Sequence, residues 1–463
     1  MKNNFNLRYI FFISMVSALG GFLFGYDWVV IGGAKPFYER FFQISQDPNL
    51  QGWAMSSALI GCICGAVAAG KFTDSFGRRR ALLLAAILFI LSAIGTGYAN
   101  QLSIFILSRL AGGMGIGFAS TVSPMYISEV SPAAWRGRLV SLNQLTIVLG
   151  ILSAQIINYL IAEPVPAGFT DMDIMGSWNG QTAWRWMFWV ETFPALIFLT
   201  GIFLIPESAR WLYKSGRDQQ GYDVLCRLGG KEYADREMIL IKSTLGNENP
   251  SVNNKDLMNP GLRRILLIGI FLAVFQQWSG INVIFNYAEE IFTSAGFTIN
   301  DMLFNVVLTG VVNLIFTFIA IGLVDRLGRK KLMLTGAAGL SLIYIFLGIF
   351  YQLQLQGVIV LLLVVSAIAL YAMTLAPVTW VIISEIFPNR IRGVAMSIAT
   401  FSLWTACFIL TYTFPWLNKL LNTGGTFWLY GGICLAGFFL IRKWLPETKG
   451  KSLEDIENEM IPG

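Results

Sequence analysis

Apolar residues form long runs along this chain, separated by short breaks carrying Gly, Pro and charge. The runs from Ile10 to Gly33, Trp53 to Gly70, Ala81 to Tyr98 and Leu102 to Val122 each approach the roughly 20 residues that cross a bilayer as a helix. Twelve such helices are predicted, centred near residues 22, 62, 90, 113, 149, 195, 278, 312, 341, 371, 404 and 435. The first contains Asp27 and lacks a small-residue cleavage site, so it is expected as a membrane helix and not as a removed signal. Composition agrees. The chain is 55% hydrophobic and 13% charged, with mean hydropathy +0.62.

One run breaks the apolar pattern from within. Gln276-Gln277-Trp278-Ser279-Gly280-Ile281-Asn282 places three uncharged amides inside a membrane helix. Such groups are costly in hydrocarbon unless something satisfies them. Each amide offers donors and an acceptor without charge, which suits a ligand covered in hydroxyls. Amides that only tie helices together are the alternative, at a fraction of a kcal/mol to about 2 kcal/mol each.

The net charge of +6 reports topology. Nearly all of the 33 Lys and Arg fall in the terminal segments and the even-numbered loops. Only Lys35, Arg40, Arg185 and Lys419 fall in the other loops, and Arg109 lies inside a helix. The positive-inside rule then puts both termini in the cytoplasm, with the protein multi-pass in the cell's inner (plasma) membrane. Nothing in this charge pattern calls for nucleic acid. The five scattered cysteines are expected as reduced thiols, and the absence of His removes imidazole metal ligands and proton relays.

The sequence also repeats itself. Asp74-Ser75-Phe76-Gly77-Arg78-Arg79-Arg80 returns as Asp325-Arg326-Leu327-Gly328-Arg329-Lys330-Lys331. Ser128-Glu129, Pro132 and Arg136-Gly137 return as Ser384-Glu385, Pro388 and Arg392-Gly393, and Pro206-Glu207-Ser208 as Pro446-Glu447-Thr448. Three motifs in the same order predict two six-helix bundles, residues 1–206 and 263–446. Between them lies a polar helical linker at 207–262, with short helices near 219–228 and 233–244, and a tail follows at 447–463. Parallel repeats of this kind place a substrate site at the midplane between the halves. The loop at 162–182, with Pro164, Pro166, Asp171 and Asp173, reads as irregular.

Taken together, Asp74-x-x-Gly77-Arg78-Arg79, Asp325-x-x-Gly328-Arg329-Lys330, Pro206-Glu207-Ser208-Ala209-Arg210, Gln276-Gln277-x-Ser279-Gly280-x-Asn282 and Pro446-Glu447-Thr448-Lys449-Gly450 resemble the sugar porters of the major facilitator superfamily, from about residue 10 to residue 455. The resemblance implies an all-α membrane protein of twelve helices in two pseudo-symmetric bundles, carrying a monosaccharide and requiring no metal or other cofactor. It implies sugar contacts from Gln144, Gln276, Gln277, Asn282, Asn313 and Trp380, with Phe24, Tyr371 and Trp404 around the ring. It also implies a cytoplasmic gate of salt bridges drawn from Arg78, Glu129, Arg136, Glu207, Arg210, Asp325, Arg329, Glu385, Arg392 and Glu447, shutting the inner side in the outward-open state. Three positions depart from the pattern. Leu403 stands where sugar-contacting relatives carry Asn or Gln, Ala376 where many carry Gly before Pro377, and Asn286 where an aromatic often follows Asn282.

Asp27 decides the energetics. A carboxyl group inside a membrane helix points to function, and the base expected to partner it is Arg109. Burial and a nearby guanidinium pull a carboxyl's proton affinity in opposite senses, so a change in their separation can move a proton. In the resembling family, proton-linked members carry Asp here and passive animal facilitators carry Asn. The expectation is a monomeric proton–monosaccharide symporter, pentose or hexose. A passive uniporter with a structural Asp27–Arg109 pair is the alternative. A non-transporting sugar receptor is more distant, since it would call for a long signalling tail. An enzyme is not expected: Gly112-Gly113-Met114-Gly115-Ile116-Gly117 superficially matches a dinucleotide loop but lies mid-membrane, where close helix packing accounts for it.

Overall fold

A computed structural model describes residues 5–166, 168–246, 260–387 and 391–449, with backbone only at 244–246, 260, 321, 325, 392 and 393. Among the described residues every regular element is helical. That is the form in which a chain crossing hydrocarbon satisfies its own backbone. The membrane helices are α1 (Leu7–Phe41), α2 (Pro48–Phe76), α3 (Arg78–Tyr98), α4 (Leu102–Val130), α5 (Arg136–Ile161) and α6 (Asn179–Leu204). In the second half they are α7 (Gly261–Asn286), α8 (Ile299–Leu327), α9 (Arg329–Gln352), α10 (Val358–Ile386) and a last run, Arg392–Trp444.

That last run has 53 residues. At about 1.5 Å per residue it is about 80 Å long, more than twice a bilayer core. It breaks at Asn422, whose φ of 57° and ψ of 176° are not helical. Asn tolerates positive φ better than most residues, and its side-chain oxygen accepts from the Gly425 amide at 3.0 Å, capping the next turn. The segment before Asn422 is α11 and the segment after it α12, which makes twelve membrane-length helices among the described residues.

Helix α7 is also interrupted. Its first part ends at Trp278, Gly280 adopts a left-handed φ of 84°, and a short helix resumes at Ile281–Asn286. A further turn, Ala288–Ser294, follows Tyr287. The polar linker forms Ala209–Lys214, Asp218–Gly229 and Lys231–Gly246, matching the expected short helices. The loop at 162–182 is more ordered than its composition suggested. Thr170 and Asp173 form a reciprocal capping box that starts the helix Asp171–Gly176.

The chain packs as two units. The first comprises residues 1–28, 60–151 and 188–251, and the second comprises 29–59, 152–187 and 252–463. Within the first, the glycine-rich stretch of α4 meets α2 closely: a Cβ at Gly117 would fall 2.5 Å from the Cys62 carbonyl oxygen. Small residues permit this backbone approach in membrane helices. Within the second unit, the ends of α1, α2 and α5 lie against α7, α8 and α11. Trp53 packs on Phe408 and Tyr412, the Trp416 indole donates to Asn49 Oδ1 at 3.0 Å, and Asn158 Nδ2 donates to the Val30 carbonyl at 3.0 Å.

Candidate functional site

The break in α7 gathers the amides into a chain. Gln276 Nε2 donates to the Ala376 carbonyl at 3.2 Å, Gln277 Nε2 donates to Gln276 Oε1 at 3.2 Å, and Asn282 Nδ2 donates to Gln277 Oε1. Asn282 also reaches the Cys407 sulfur of α11 at 3.6 Å. On an unbroken helix Gln277 and Asn282 would not share a face. The left-handed Gly280 between them turns the second part so that they meet. A side chain at 280 would be strained by this φ and crowded by the Tyr430 ring at 2.8 Å. Gln276 is thereby tied to the Ala376-Pro377 step of α10, so the amide wall and that step are one construction.

The other expected sugar contacts are spread over both units. In the second unit, Asn313 and Trp404 are buried, Tyr371 is half-buried and Trp380 is 38% exposed. Leu403 is buried beside Trp404. In the first unit, Phe24 is half-buried and stacks edge-on against Trp28 at 6.2 Å, and Gln144 is exposed on α5. The Gln144 amide has no hydrogen bond within the protein among the described residues, so it is available to a ligand.

The buried charge of the first unit is more than a pair. Arg109 Nη1 bonds Asp27 Oδ1, and Nη2 donates to the Asp27 carbonyl at 3.1 Å, fixing α4 to α1. The guanidinium also stacks over Phe188 at 5.6 Å. Gly112, one turn along α4, leaves room for the carboxylate, since a Cβ there would sit 2.6 Å from Asp27 Oδ2. Glu191 of α6 lies fully buried within electrostatic reach of both. Neither of its oxygens, nor Asp27 Oδ2, has a hydrogen-bond partner among the described residues. Two buried carboxylates facing one guanidinium carry one negative charge more than the cation neutralises. A single proton on either carboxylate would restore the balance. Sequence reasoning passed over Glu191, although an acid inside the apolar run of α6 was the same signal that singled out Asp27.

The repeated motifs fold into the same device twice, once in each unit. Glu207 Oε1 accepts from the Arg78 amide at 2.9 Å and Oε2 from the Arg79 amide at 3.1 Å, capping α3. Glu447 does the same for α9, through the amides of Arg329 at 2.9 Å and Lys330 at 3.1 Å. Arg78 then reaches Glu129 at 2.9 Å, and Arg329 reaches Glu385 at 3.1 Å. Each acid is thus held within its own half of the sequence. Burial pushes the Glu207 carboxyl up against its backbone donors, while at the more exposed Glu447 four such donors outweigh burial and hold it below its ordinary value. Arg136 donates to the Ser128 carbonyl at 3.1 Å, and Arg210 is exposed. The side chains of Asp325 and Arg392, and residues 388–390, lie outside the described residues.

Both copies need glycine where the acid docks. Gly77 has φ 92° and ψ 167°, and Gly328 has φ 90° and ψ 156°, a region essentially reserved for glycine. A Cβ at 77 would overlap the Glu207 carboxylate. Gly77→Ala is expected to cost at least about 2 kcal/mol, read as a fall in apparent melting temperature in detergent. Gly216→Ala, also at positive φ but with open space around it, should fall less. Equal falls would mean that the docked acid adds nothing.

Comparison with known proteins gives one consistent result. The family model described as "Sugar (and other) transporter" matches residues 13–460. The D-xylose-proton symporter of Escherichia coli (strain K12) is 37% identical, over 99% of this chain and 97% of its own length. The arabinose-proton symporter of Bacillus subtilis (strain 168) is 38% identical, over 98% and 96%. The inward open structure of the E. coli xylose transporter XylE superposes with a TM-score of 0.85 at 36% identity, covering 97% of this chain and all of that one. The multi-pass helical architecture agrees with these matches, and this chain belongs to the sugar transporter family, among the sugar porters of the major facilitator superfamily.

Proposed function

We propose that this protein is a proton–monosaccharide symporter working by alternating access, with pentoses first among the candidate substrates. The observation that carries the reading is the buried Asp27–Arg109 pair with Glu191 beside it, in a chain whose relatives include a xylose–proton and an arabinose–proton symporter. In this reading both six-helix halves, 1–206 and 263–446, contribute to sugar binding. Gln144 and Phe24 contribute from one half, and Gln276, Gln277, Asn282, Asn313, Tyr371, Trp380 and Trp404 from the other. Protonation of the Asp27 site loosens its hold on Arg109, and the halves rock. The capped networks around Glu207 and Glu447, with Arg78, Glu129, Arg329 and Glu385, act as the cytoplasmic latch. The protein works as a monomer in the lipid bilayer of the inner membrane, with both termini in the cytoplasm.

Leu403, buried next to Trp404 in the chain, offers no hydrogen bond, which suits a ring carbon better than a hydroxyl. A passive uniporter is the second reading. It is favoured by the grip of Arg109 on both the Asp27 carboxylate and its backbone carbonyl, a geometry that also serves simply to join α1 to α4. The two readings separate in lightly buffered, de-energised vesicles. Symport predicts external alkalinisation when xylose or arabinose is added. Sugar uptake with no pH change would leave the uniporter.

A further inference from the structure

At the helix ends opposite the termini, the second unit buries a second ionic cluster that the coupling site does not use. Lys35 of α1 is 1% exposed and contacts three carboxylates: Glu39 at 3.0 Å, Glu289 at 3.5 Å and Glu290 at 2.6 Å. Arg40 binds Glu289 at 2.8 Å and the exposed Asp171 at 2.8 Å. Glu39 lies on α1, whereas Glu289 and Glu290 lie on the turn after α7, so the cluster spans the two sequence halves within one packed unit. Gln51 of α2 donates to Glu39 at 3.0 Å, and Tyr38 and Tyr287 lie beside Lys35. The Tyr287 hydroxyl itself donates to the Thr411 carbonyl of α11 at 2.6 Å.

The charges in this cluster do not balance. One buried carboxylate, Glu39, and two half-buried ones, Glu289 and Glu290, face two cations, and one of those cations is shared with Asp171, which keeps much of its water. Glu39 is 2% exposed, yet among the described residues its Oε1 has no hydrogen-bond partner, and neither has Glu290 Oε2. A dry, unpaired carboxylate oxygen costs several kcal/mol as an anion. As an acid it costs far less, because only the charged form suffers from burial.

We propose that the outer ends of α1 and α7 close around a proton, taken from the water on that side and held between Glu39 and Glu290. The cluster is thus a second proton-binding site, separate from Asp27, that links closure of the outer side to external pH. Sidedness and movement here rest on the transport reading above. Lys35 and Arg40 neutralise two carboxylates, and the proton forms an O–H bond on the third. When the cluster opens to water, the carboxylates are hydrated, the proton leaves and the closed arrangement loses its compensation. Burial pushes the Glu290 carboxyl up against the pull of Lys35. At Glu289 burial also pushes up, but Lys35 and Arg40 together outweigh it and hold that group low. The sign follows: closure is favoured at pH values low enough to protonate the open cluster, and weakens as pH rises through the value of the closed one.

The test uses spin labels at Gln46→Cys and Gln352→Cys, two exposed positions on that face, with Cys64→Ser and Cys226→Ser to keep labelling specific. Asp27→Asn in the same chain removes the coupling carboxylate. Distances are measured in lipid nanodiscs from pH 5 to pH 9. The ratio of long to short distances should rise with pH, by up to about tenfold per unit where one proton is exchanged. Glu39→Gln and Glu290→Gln, each supplying a neutral isostere, should flatten that slope and keep the short distance at high pH. A parent chain with no slope, or variants with the parent's slope, would overturn the proposal. Sugar counterflow in the same preparations reports separately on folding and on the transport reading.

Discussion

Asp27→Asn is expected to abolish uphill accumulation of sugar while leaving exchange across the membrane intact. One proton moving down 100 mV supplies about 2.3 kcal/mol, enough for about 50-fold accumulation. With no proton carried, the ratio should fall to about one. The substitution keeps the side chain's shape and an oxygen for Arg109, so α1 and α4 stay joined. Arg109→Gln should behave quite differently. It removes the cation from a site holding Asp27 and Glu191, both fully buried. Uncompensated buried charge costs about 3–5 kcal/mol, so this variant should lose both transport and thermal stability unless Glu191→Gln accompanies it. Steady-state uptake against a gradient, counterflow and detergent melting curves separate the outcomes. An Asp27→Asn protein that still accumulates sugar to wild-type levels would end the coupling role of Asp27.

Gln277→Ala should weaken sugar binding by about 100-fold. Gln277 is the middle link of the amide chain, accepting from Asn282 and donating to Gln276. Removing it takes away its own contacts to a hydroxylated ligand and leaves two neighbours to find new partners. Each polar group left unsatisfied in such a site costs about 1–3 kcal/mol. Two groups near the lower end of that range, about 1.4 kcal/mol each, account for the expected factor. The half-saturating sugar concentration in counterflow measures it, and a change below threefold would mean that the chain is interhelical glue. Ser279→Ala is the control. Its hydroxyl donates to the Gln276 carbonyl inside the helix, away from any ligand role, so it should leave affinity unchanged.

Much of this was legible from periodicity and repetition. Apolar run length fixes the number of helices because the bilayer sets one length for all of them. The repeated Asp-x-x-Gly-Arg motif announced two copies of one construction, and both copies carry the same acid cap and the same glycine geometry. The amide run was visible as polarity out of place. Its geometry was not, because the left-handed Gly280 alters which residues face each other, and a helical wheel cannot show that. Glu191 and the Lys35 cluster were missed for different reasons. Glu191 sits in a strongly apolar segment six residues after Arg185, and its partners come instead from α1 and α4. Lys35, Glu39 and Arg40 read as ordinary loop charge near a helix end. Only the approach of Glu289 and Glu290, some 250 residues away in the chain, shows that they are buried together.

The acid caps set an order on biosynthesis. The first turn of α3 is satisfied by Glu207, 129 residues further along the chain, and the first turn of α9 by Glu447, 118 residues further along. A nascent chain therefore inserts α3 with its leading amides waiting, and they find their carboxylate only after α6 has left the ribosome. The first six helices can be locked before the seventh is made, while the second six stay unfinished almost to the end of translation. A stop codon shortly before residue 447 would thus release a chain with every membrane span present and its second half still unsealed.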